Sequence, residues 1–548
     1  MGATHEVFNQ PTPLADVNLF EGNRALHDAL KFNAPGLDTA PLAELGRLAG
    51  SAEMQRHARL ANVHTPELRA YDRFGHRIDE VEFHPSYHAL MSAATQAGLH
   101  GTPYAPEEQA SGHAHVKRAA AFMLFTELEP SILCPISMTY AVTPALRDNP
   151  AIYRDLAPRL TSRAYLPGLR LWSDKPGITM GMGMTEKQGG SDVRANTTQA
   201  TLDGQDAWGQ RYRLTGHKWF VSAPMSDAFL VLAQAAGGLS CFFLPRVLPD
   251  GTRNALRVER LKDKLGNKAN ASSEVELDGA LAWLVGEPGR GVPQILAMGT
   301  MTRLDCALGT SGLMRQALSQ ALHHTAGRAA FGKPLIEQPL MKNVLADLAL
   351  ESEAATALAL RVARAFDRRQ DDERQRLMAR VLTPIAKFWI CKRGAALAQE
   401  AMECLGGNGY VEEGGEGVLA RIYREMPVNS IWEGAGNIMA LDLLRALRKG
   451  DVAAALAQEL APARGQHPAL DALIATLPAR MDGGTGEVHA RALVRDVALA
   501  VQAALLAQTA PAAVFGAFCD SRLTRAHDVF GALSGGVDLD AIIRRASL

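Results

Sequence analysis

The segment NSIWEGAGNI, Asn429 to Ile438, sets a single carboxylate, Glu433, between an indole and a Gly-Ala-Gly turn. Bulk and charge there face almost no side chain, and the chemistry open to a lone carboxylate is proton transfer. Its plain alternative is a surface acid in a glycine turn. A second segment, GMGMTEKQGGSDV (Gly181–Val193), offers the hydroxyls of Thr185 and Ser191, each donor and acceptor, beside a Gly189-Gly190 pair that permits close backbone approach. Taken alone it reads as a polar loop. Arg303, in MTRLDCALG, stands two residues before Asp305, so an ion pair with that or another acid is its plain reading. His84 and His88 have the four-residue spacing of helical metal ligands, but Pro85 between them points to a helix start, and no metal is expected.

These residues need elements to hold them. The first third of the chain alternates helical patterns with Pro/Gly punctuation, and HVKRAAAFMLFTEL has the spacing of a helix facing a core. Next, YRLTGHKWFVS, AFLVLAQAAGGLSCFFLP and SSEVEL carry β patterns, with a hairpin signal at Gly237-Gly238. Long amphipathic patterns then return, the last closing at Gly406-Gly407. Beyond ALDLLRALRKGD the chain becomes Ala/Leu-rich and broken by Pro462, Pro468 and Pro478. The expected organisation is therefore helical over 1–178, β over 179–289, helical over 290–441, and an added helical domain over 442–548.

Composition narrows the function classes. With 57 Lys+Arg against 58 Asp+Glu, no global field draws the chain to nucleic acid or acidic membrane. Hydrophobic residues at 47% and charged residues at 21% are ordinary for a globular protein. Six cysteines without a C-x-x-C pair argue against a zinc module or disulfide framework and fit a reducing cytoplasm. The start MGATHEVFNQP lacks the basic-then-apolar pattern of a secretory signal. Val497 to Cys519 carries no charge, yet its glutamines and Pro511 read as two buried helices rather than a membrane span.

The glycine-rich LGGNGY follows a helix, not a strand, so a dinucleotide-binding βαβ unit is a weak reading. MTEKQGGSDV, GHKWFVS, RAAFGKPLIEQPL, MECLGGNGY and REMPVNSIWEGAGNI, in that order, resemble the acyl-CoA dehydrogenase flavoprotein family. The resemblance implies that fold, mainly α with a central β-barrel or β-sandwich domain, and FAD as cofactor. It implies FAD contacts from Met184, Thr185, Gly190 and Ser191, and from Lys218, Trp219 and Phe220. It further implies that Arg328 and Phe331 reach the ADP part of an FAD held by a neighbouring subunit, which makes a homotetramer the expected assembly; a charged guanidinium fork suits a pyrophosphate. Gly406, Gly407, Trp432 and Asn437 complete the cofactor set, and Arg303 falls near the acyl-thioester pocket. Glu433 falls at the position of the base that removes the substrate α-proton, where desolvation would raise a carboxyl pKa into a useful range.

Longer segments, VFNQP, YDRFGHRIDEVEFHP, RLKDKLGNKANAS and YREMPVNSIWEG, resemble the AidB branch, the alkylation-response flavoproteins. That branch implies cytoplasmic binding of double-stranded DNA through the C-terminal domain, with weak dehydrogenation of branched short acyl-CoAs or action on a small alkylating molecule. The candidate phosphate contacts are Arg522, Arg525, Arg544 and Arg545, although residues 441–548 carry eleven basic and eleven acidic side chains. A metabolic acyl-CoA dehydrogenase and an acyl-CoA oxidase are the alternatives, and the electron acceptor is left open. Val221 and Ala435 stand where typical dehydrogenases carry threonines, so altered flavin reactivity is expected rather than lost binding.

Overall fold

The computed structural model describes residues 4–449, 451–481, 486–524, 529–533 and 535–548. Two compact units are assembled from interleaved stretches of chain: one from Met1–Gln55, Ser111–Leu128 and Arg303–Leu548, the other from Arg56–Ala110 and Glu129–Thr302.

The second unit is organised by a sheet. Strands β1 (Glu67–Tyr71) and β2 (Arg77–Glu82) form a separate antiparallel pair, and helix α1 (Pro85–Gln96) follows, its N-cap His84 accepting from the Ser86 amide at 3.1 Å. The histidine pair thus marks a helix start, and His88 turns to the Tyr165 hydroxyl at 2.9 Å. Strands β3 (Met180–Gly183), β4 (Gln199–Asp206), β5 (Gly209–Ser222), β6 (Ala228–Ala235), β7 (Gly238–Pro245), β8 (Leu256–Leu261) and β9 (Ser272–Val285) make one mixed sheet. Its order β6-β4-β5-β9-β7 returns to β6, because β7 pairs β6 as well as β9. Closure of that ring removes free edges and makes a barrel, with β3 added on β6 and β8 on β9. Alternate residues fill it: Leu214, Val221, Phe229, Val231, Phe242, Val258, Val275 and Leu277 are all buried. The β6–β7 hairpin turns at Ala236-Gly237, with Gly238 at φ 105°.

The first unit is helical. Its main members are α2 (Ala114–Leu128), α3 (Gly291–Gly327, which enters from the second unit), α4 (Pro339–Arg368) and α5 (Glu373–Glu403). Between α3 and α4 a two-residue hairpin, β10 (Ala329–Ala330) with β11 (Lys333–Pro334), carries Phe331 and Gly332 at its tip. After α5 the chain turns through Gly406 at φ 58°, a left-handed conformation that glycine adopts without strain. Helix α6 (Gly436–Leu447) starts just beyond Glu433, and α7 (Ala490–Thr509) and α8 (Ala512–Cys519) meet at Pro511 as two separate helices. Helix α9 (Leu539–Ala546) ends the fold, its Ala546 carbonyl bonded by Arg315 of α3. Among the described residues no helix is long and apolar enough to cross a membrane.

Candidate functional site

In the barrel unit the candidate residues converge through one irregularity. Strand β5 pairs β9 with a register shift between Lys218 and Val221, a bulge that turns Trp219 and Phe220 outward on consecutive residues. The Trp219 amide donates to the Thr185 carbonyl at 2.8 Å, so the bulge and the TEKQGGSD loop are bonded side by side. A Cβ on Gly190 would stand 2.6 Å from the Thr185 hydroxyl, so the glycine keeps the loop closed on itself. Ser191 is exposed, and the Met184 carbonyl accepts from Asn196 at 2.8 Å. The indole of Trp219 has the Lys262 ammonium 3.3 Å from its centroid, with Arg260 and Lys187 farther out.

Lys218 departs from expectation. Its side chain is fully buried, donating at 2.7 Å to both Glu186 and the Leu232 carbonyl, so the ammonium is structural and only its backbone is left to face a ligand. Glu186, which sequence reasoning passed over, is the hub of the loop. Burial alone would raise its carboxyl, but Lys218, Thr197 and Thr198 hold it well below the usual carboxylate range. Val221, whose lost hydroxyl was expected to matter at the redox centre, points into the barrel core.

In the helical unit Glu433 is half-buried at φ 58° and Gly434 at φ 102°, a left-handed pair that a glutamate enters only against strain. Two cations grip the turn: Arg303 Nε donates to the Glu433 carbonyl at 2.9 Å, and Lys387 Nζ to the Gly434 carbonyl at 2.6 Å. Arg303 also pairs with buried Asp442 at 3.1 Å, and Arg380 pairs with the same carboxylate at 2.7 Å. Arg303 thus stands beside Glu433 with Nε on the turn and Nη1 on Asp442, an acid other than the neighbouring Asp305, which binds Arg118. Trp432 donates to Asn429 at 3.1 Å. Asn437, exposed in the first turn of α6, accepts from Arg491 at 2.9 Å. Ala435 is the N-cap of α6 and supplies no side-chain bond to it.

The β10–β11 hairpin and the glycine turn share a clamp. Asn9 accepts from the Ala329 amide at 2.7 Å, donates to its carbonyl at 2.9 Å, and accepts on its own carbonyl from Arg328 at 3.0 Å. Gln10 then accepts from Asn408 at 3.0 Å. The FNQP string was visible in the sequence, but its partners lie more than three hundred residues away, so no local signal gave its role. Phe331 is 98% exposed, and a Cβ on Gly406 or Gly407 would meet nothing within 4 Å.

Two of the four candidate DNA contacts are corrected. Arg522, partly buried, pairs with Asp347 and Glu351, and Arg545, also partly buried, pairs with Glu353 and Asp28, so both charges are neutralised within the fold. Arg544 is exposed. Arg525 lies outside the described residues.

Three family models match in order: the adaptive response protein AidB N-terminal domain at residues 9–167, the acyl-CoA dehydrogenase middle domain at 181–280, and the acyl-CoA dehydrogenase C-terminal domain at 289–448. AidB of Escherichia coli (strain K12) is 54% identical over 449 residues, 81% of each chain. The chain belongs to the acyl-CoA dehydrogenase family. Acyl-CoA dehydrogenase family member 11 of Caenorhabditis elegans is 31% identical over 72% of this chain and 64% of its own length. The structure of Caenorhabditis elegans ACDH-11 in complex with C11-CoA aligns with a TM-score of 0.84 at 26% identity, covering 100% of this chain and 93% of that one. The Bd2924 apo-form aligns at 0.82 and 30%, covering 92% and 100%. This acyl-CoA dehydrogenase is an AidB-like, FAD-dependent oxidoreductase.

The residues present fit that cofactor. In the barrel unit the bulge presents exposed Phe220 and half-buried Trp219 beside the Thr185 and Ser191 hydroxyls, which would suit a flat ring; in the helical unit the open glycine turn and Arg328 would suit phosphate. A separate cavity of about 380 Å³ in the barrel unit is lined by Arg194, Gln234, Leu239, Arg290, Val292 and Pro293. Among the described residues neither arginine pairs with a carboxylate. Gln234 donates to the Arg194 and Asn196 carbonyls, which fixes the wall that bears Arg194.

Proposed function

We propose that this protein dehydrogenates acyl-CoA thioesters, with Glu433 as the base that removes the α-proton. The observation that carries the reading is the strained Glu433–Gly434 turn, whose two successive carbonyls are fixed by Arg303 and Lys387 so that the backbone bearing the carboxylate is held in one conformation. Bound FAD supplies the acceptor of the β-hydride. Thr185, Ser191, Trp219, Phe220 and the backbone of Met184, Gly190 and Lys218 are its candidate contacts in the barrel unit; in the helical unit Gly406, Gly407, Trp432 and Asn437 are candidates, and Arg328 and Phe331 would reach the ADP part of an FAD held by a neighbouring subunit. The Arg194/Arg290 cavity suits the phosphates of a coenzyme A thioester, because two guanidinium forks with no carboxylate partner among the described residues favour a polyanion. Exposed Phe331 and its neighbours support assembly into a homotetramer.

The test is anaerobic mixing of holoprotein with isovaleryl-CoA, following loss of the yellow flavin absorbance. Glu433→Gln keeps the shape and removes the base, so reduction should slow by about 10²–10⁴-fold while FAD stays bound. Undiminished reduction in that variant would remove Glu433 from the chemistry.

A second reading is a role in the adaptive response, as the name of the N-terminal domain suggests, with duplex DNA as partner. With Arg522 and Arg545 neutralised, it rests on exposed Arg445, Arg448, Lys449 and Arg544. Binding that weakens steeply with salt and is lost on reversing those charges supports it; no binding at low salt excludes it.

A further inference from the structure

Arg491 lies beyond residue 448, where the dehydrogenase C-terminal domain match ends, yet it reaches back to the turn that follows the base. It is the second residue of α7, and its guanidinium packs 5.5 Å from the Phe388 ring centroid on α5 while Nη1 donates to Asn437 Oδ1 at 2.9 Å. A guanidinium can only donate, so this bond decides which way the amide faces: the oxygen is engaged by Arg491 and both N–H donors of Nδ2 are presented on the other side. The setting reinforces that polarity. Asn437 sits at the N-terminus of α6, where unpaired backbone amides concentrate positive charge, and Lys392 is close enough that a Cβ on Gly436 would stand 3.0 Å from its Cε.

We propose that Arg491 is a positioning residue for FAD: the added C-terminal helices orient the Asn437 amide as a donor toward the cofactor. The proposal rests on Asn437 being a cofactor ligand, as set out above. It makes the C-terminal segment part of the flavin site's construction, whatever else that segment binds.

The experiment measures FAD release from full-length holoprotein on dilution, by the recovery of free-flavin fluorescence, in Arg491→Met, Arg491→Lys, Asn437→Ala and the double variant Arg491→Met/Asn437→Ala. Methionine keeps the stem over Phe388 and removes the donor; losing one charge-assisted hydrogen bond should speed release about tenfold. Lysine retains a donor and should stay within about threefold of the parent, which a merely structural packing role would not require. Asn437→Ala should release at least as fast as Arg491→Met, and the double variant no faster than Asn437→Ala, because the two side chains act as one unit. Parental release from Arg491→Met, with faster release from Asn437→Ala, overturns the proposal and leaves the reading of Asn437 intact. Parental release from Asn437→Ala overturns that reading and the proposal with it. Additive effects in the double variant place the action of Arg491 elsewhere and overturn the proposal alone.

Discussion

Glu433 occupies a left-handed backbone conformation at φ 58°, which costs a non-glycine residue on the order of 1–3 kcal/mol and persists only where its surroundings enforce it. The enforcement is visible: Arg303 and Lys387 each bond one of two successive carbonyls, and Asp442 anchors Arg303 from behind. On the proposal that Glu433 is the base, Arg303 is a residue that positions it. Replacing it by methionine should lower kcat for thioester-dependent flavin reduction by roughly 10²-fold, the scale on which a 1 Å misplacement acts, with KM little changed. Arg303→Lys should recover part of that loss through one restored donor. A raised KM at unchanged kcat would instead place Arg303 in the substrate pocket. The sequence marks the acid and the glycines that permit its turn, because both are local. The contacts of the cations with the turn were not legible, because Arg303 lies 130 residues from Glu433 and Lys387 lies 47 from Gly434, with no spacing rule joining them.

At the scale of elements, helix α2 carries a proton-linked stability at both ends. At its start the Asp367 carboxylate accepts from the His115 and Val116 amides at 2.7 and 3.0 Å, yet burial pushes that carboxyl up to about 7. In its last turn Glu127 is buried with Oε2 unpartnered, and burial, opposed in part by Arg315, pushes it up to about 8 from an ordinary 4.5. An acid at a helix C-terminus suits the helix dipole only when protonated. Both groups hold protons in the fold that the unfolded chain has released, so stability falls as pH rises from the ordinary carboxyl range through about 8 and levels beyond it. Glu127→Gln should flatten the upper part of that slope and unfold at higher denaturant than the parent above pH 8, by a few kcal/mol, with little difference at the acid end. Equal slopes would mean that Arg315 keeps Glu127 ionised. The element itself was read from HVKRAAAFMLFTEL, since periodicity marks a helix facing a core. Which acids the core would enclose was not, because Asp367 comes from another helix. The β5 strand makes the same point: its alternation was legible, but the bulge that turns both Trp219 and Phe220 outward depends on pairing with β9 some fifty residues on.

At the scale of the whole molecule, the order of helices, sheet and helices followed from composition shifts and periodicity, whereas which aromatics stand in solvent did not, because a solvent-exposed aromatic looks in sequence like a core one. The structure separates them. Phe8, Phe331, Leu340 and Tyr410 of the helical unit are all more than three-quarters exposed, and burying each such side chain is worth roughly 1.5–3 kcal/mol. Phe331 stands at the tip of a two-residue hairpin turn whose central residues, Phe331 and Gly332, have φ of 53° and 83°. That turn favours glycine and asparagine, so an aromatic there is held against strain, and Asn9 clamps the hairpin at its base. If a second copy receives it, Phe331→Asp should lower the mass measured by light scattering from that of a tetramer and leave the purified protein poor in FAD, since each site would lose the neighbour's hairpin. Phe331→Leu, apolar and unable to stack, should keep the assembly while loosening the cofactor. A Phe331→Asp variant that remains tetrameric and fully yellow would show that the hairpin faces solvent in the assembly, and that Arg328 and Phe331 serve no neighbouring flavin.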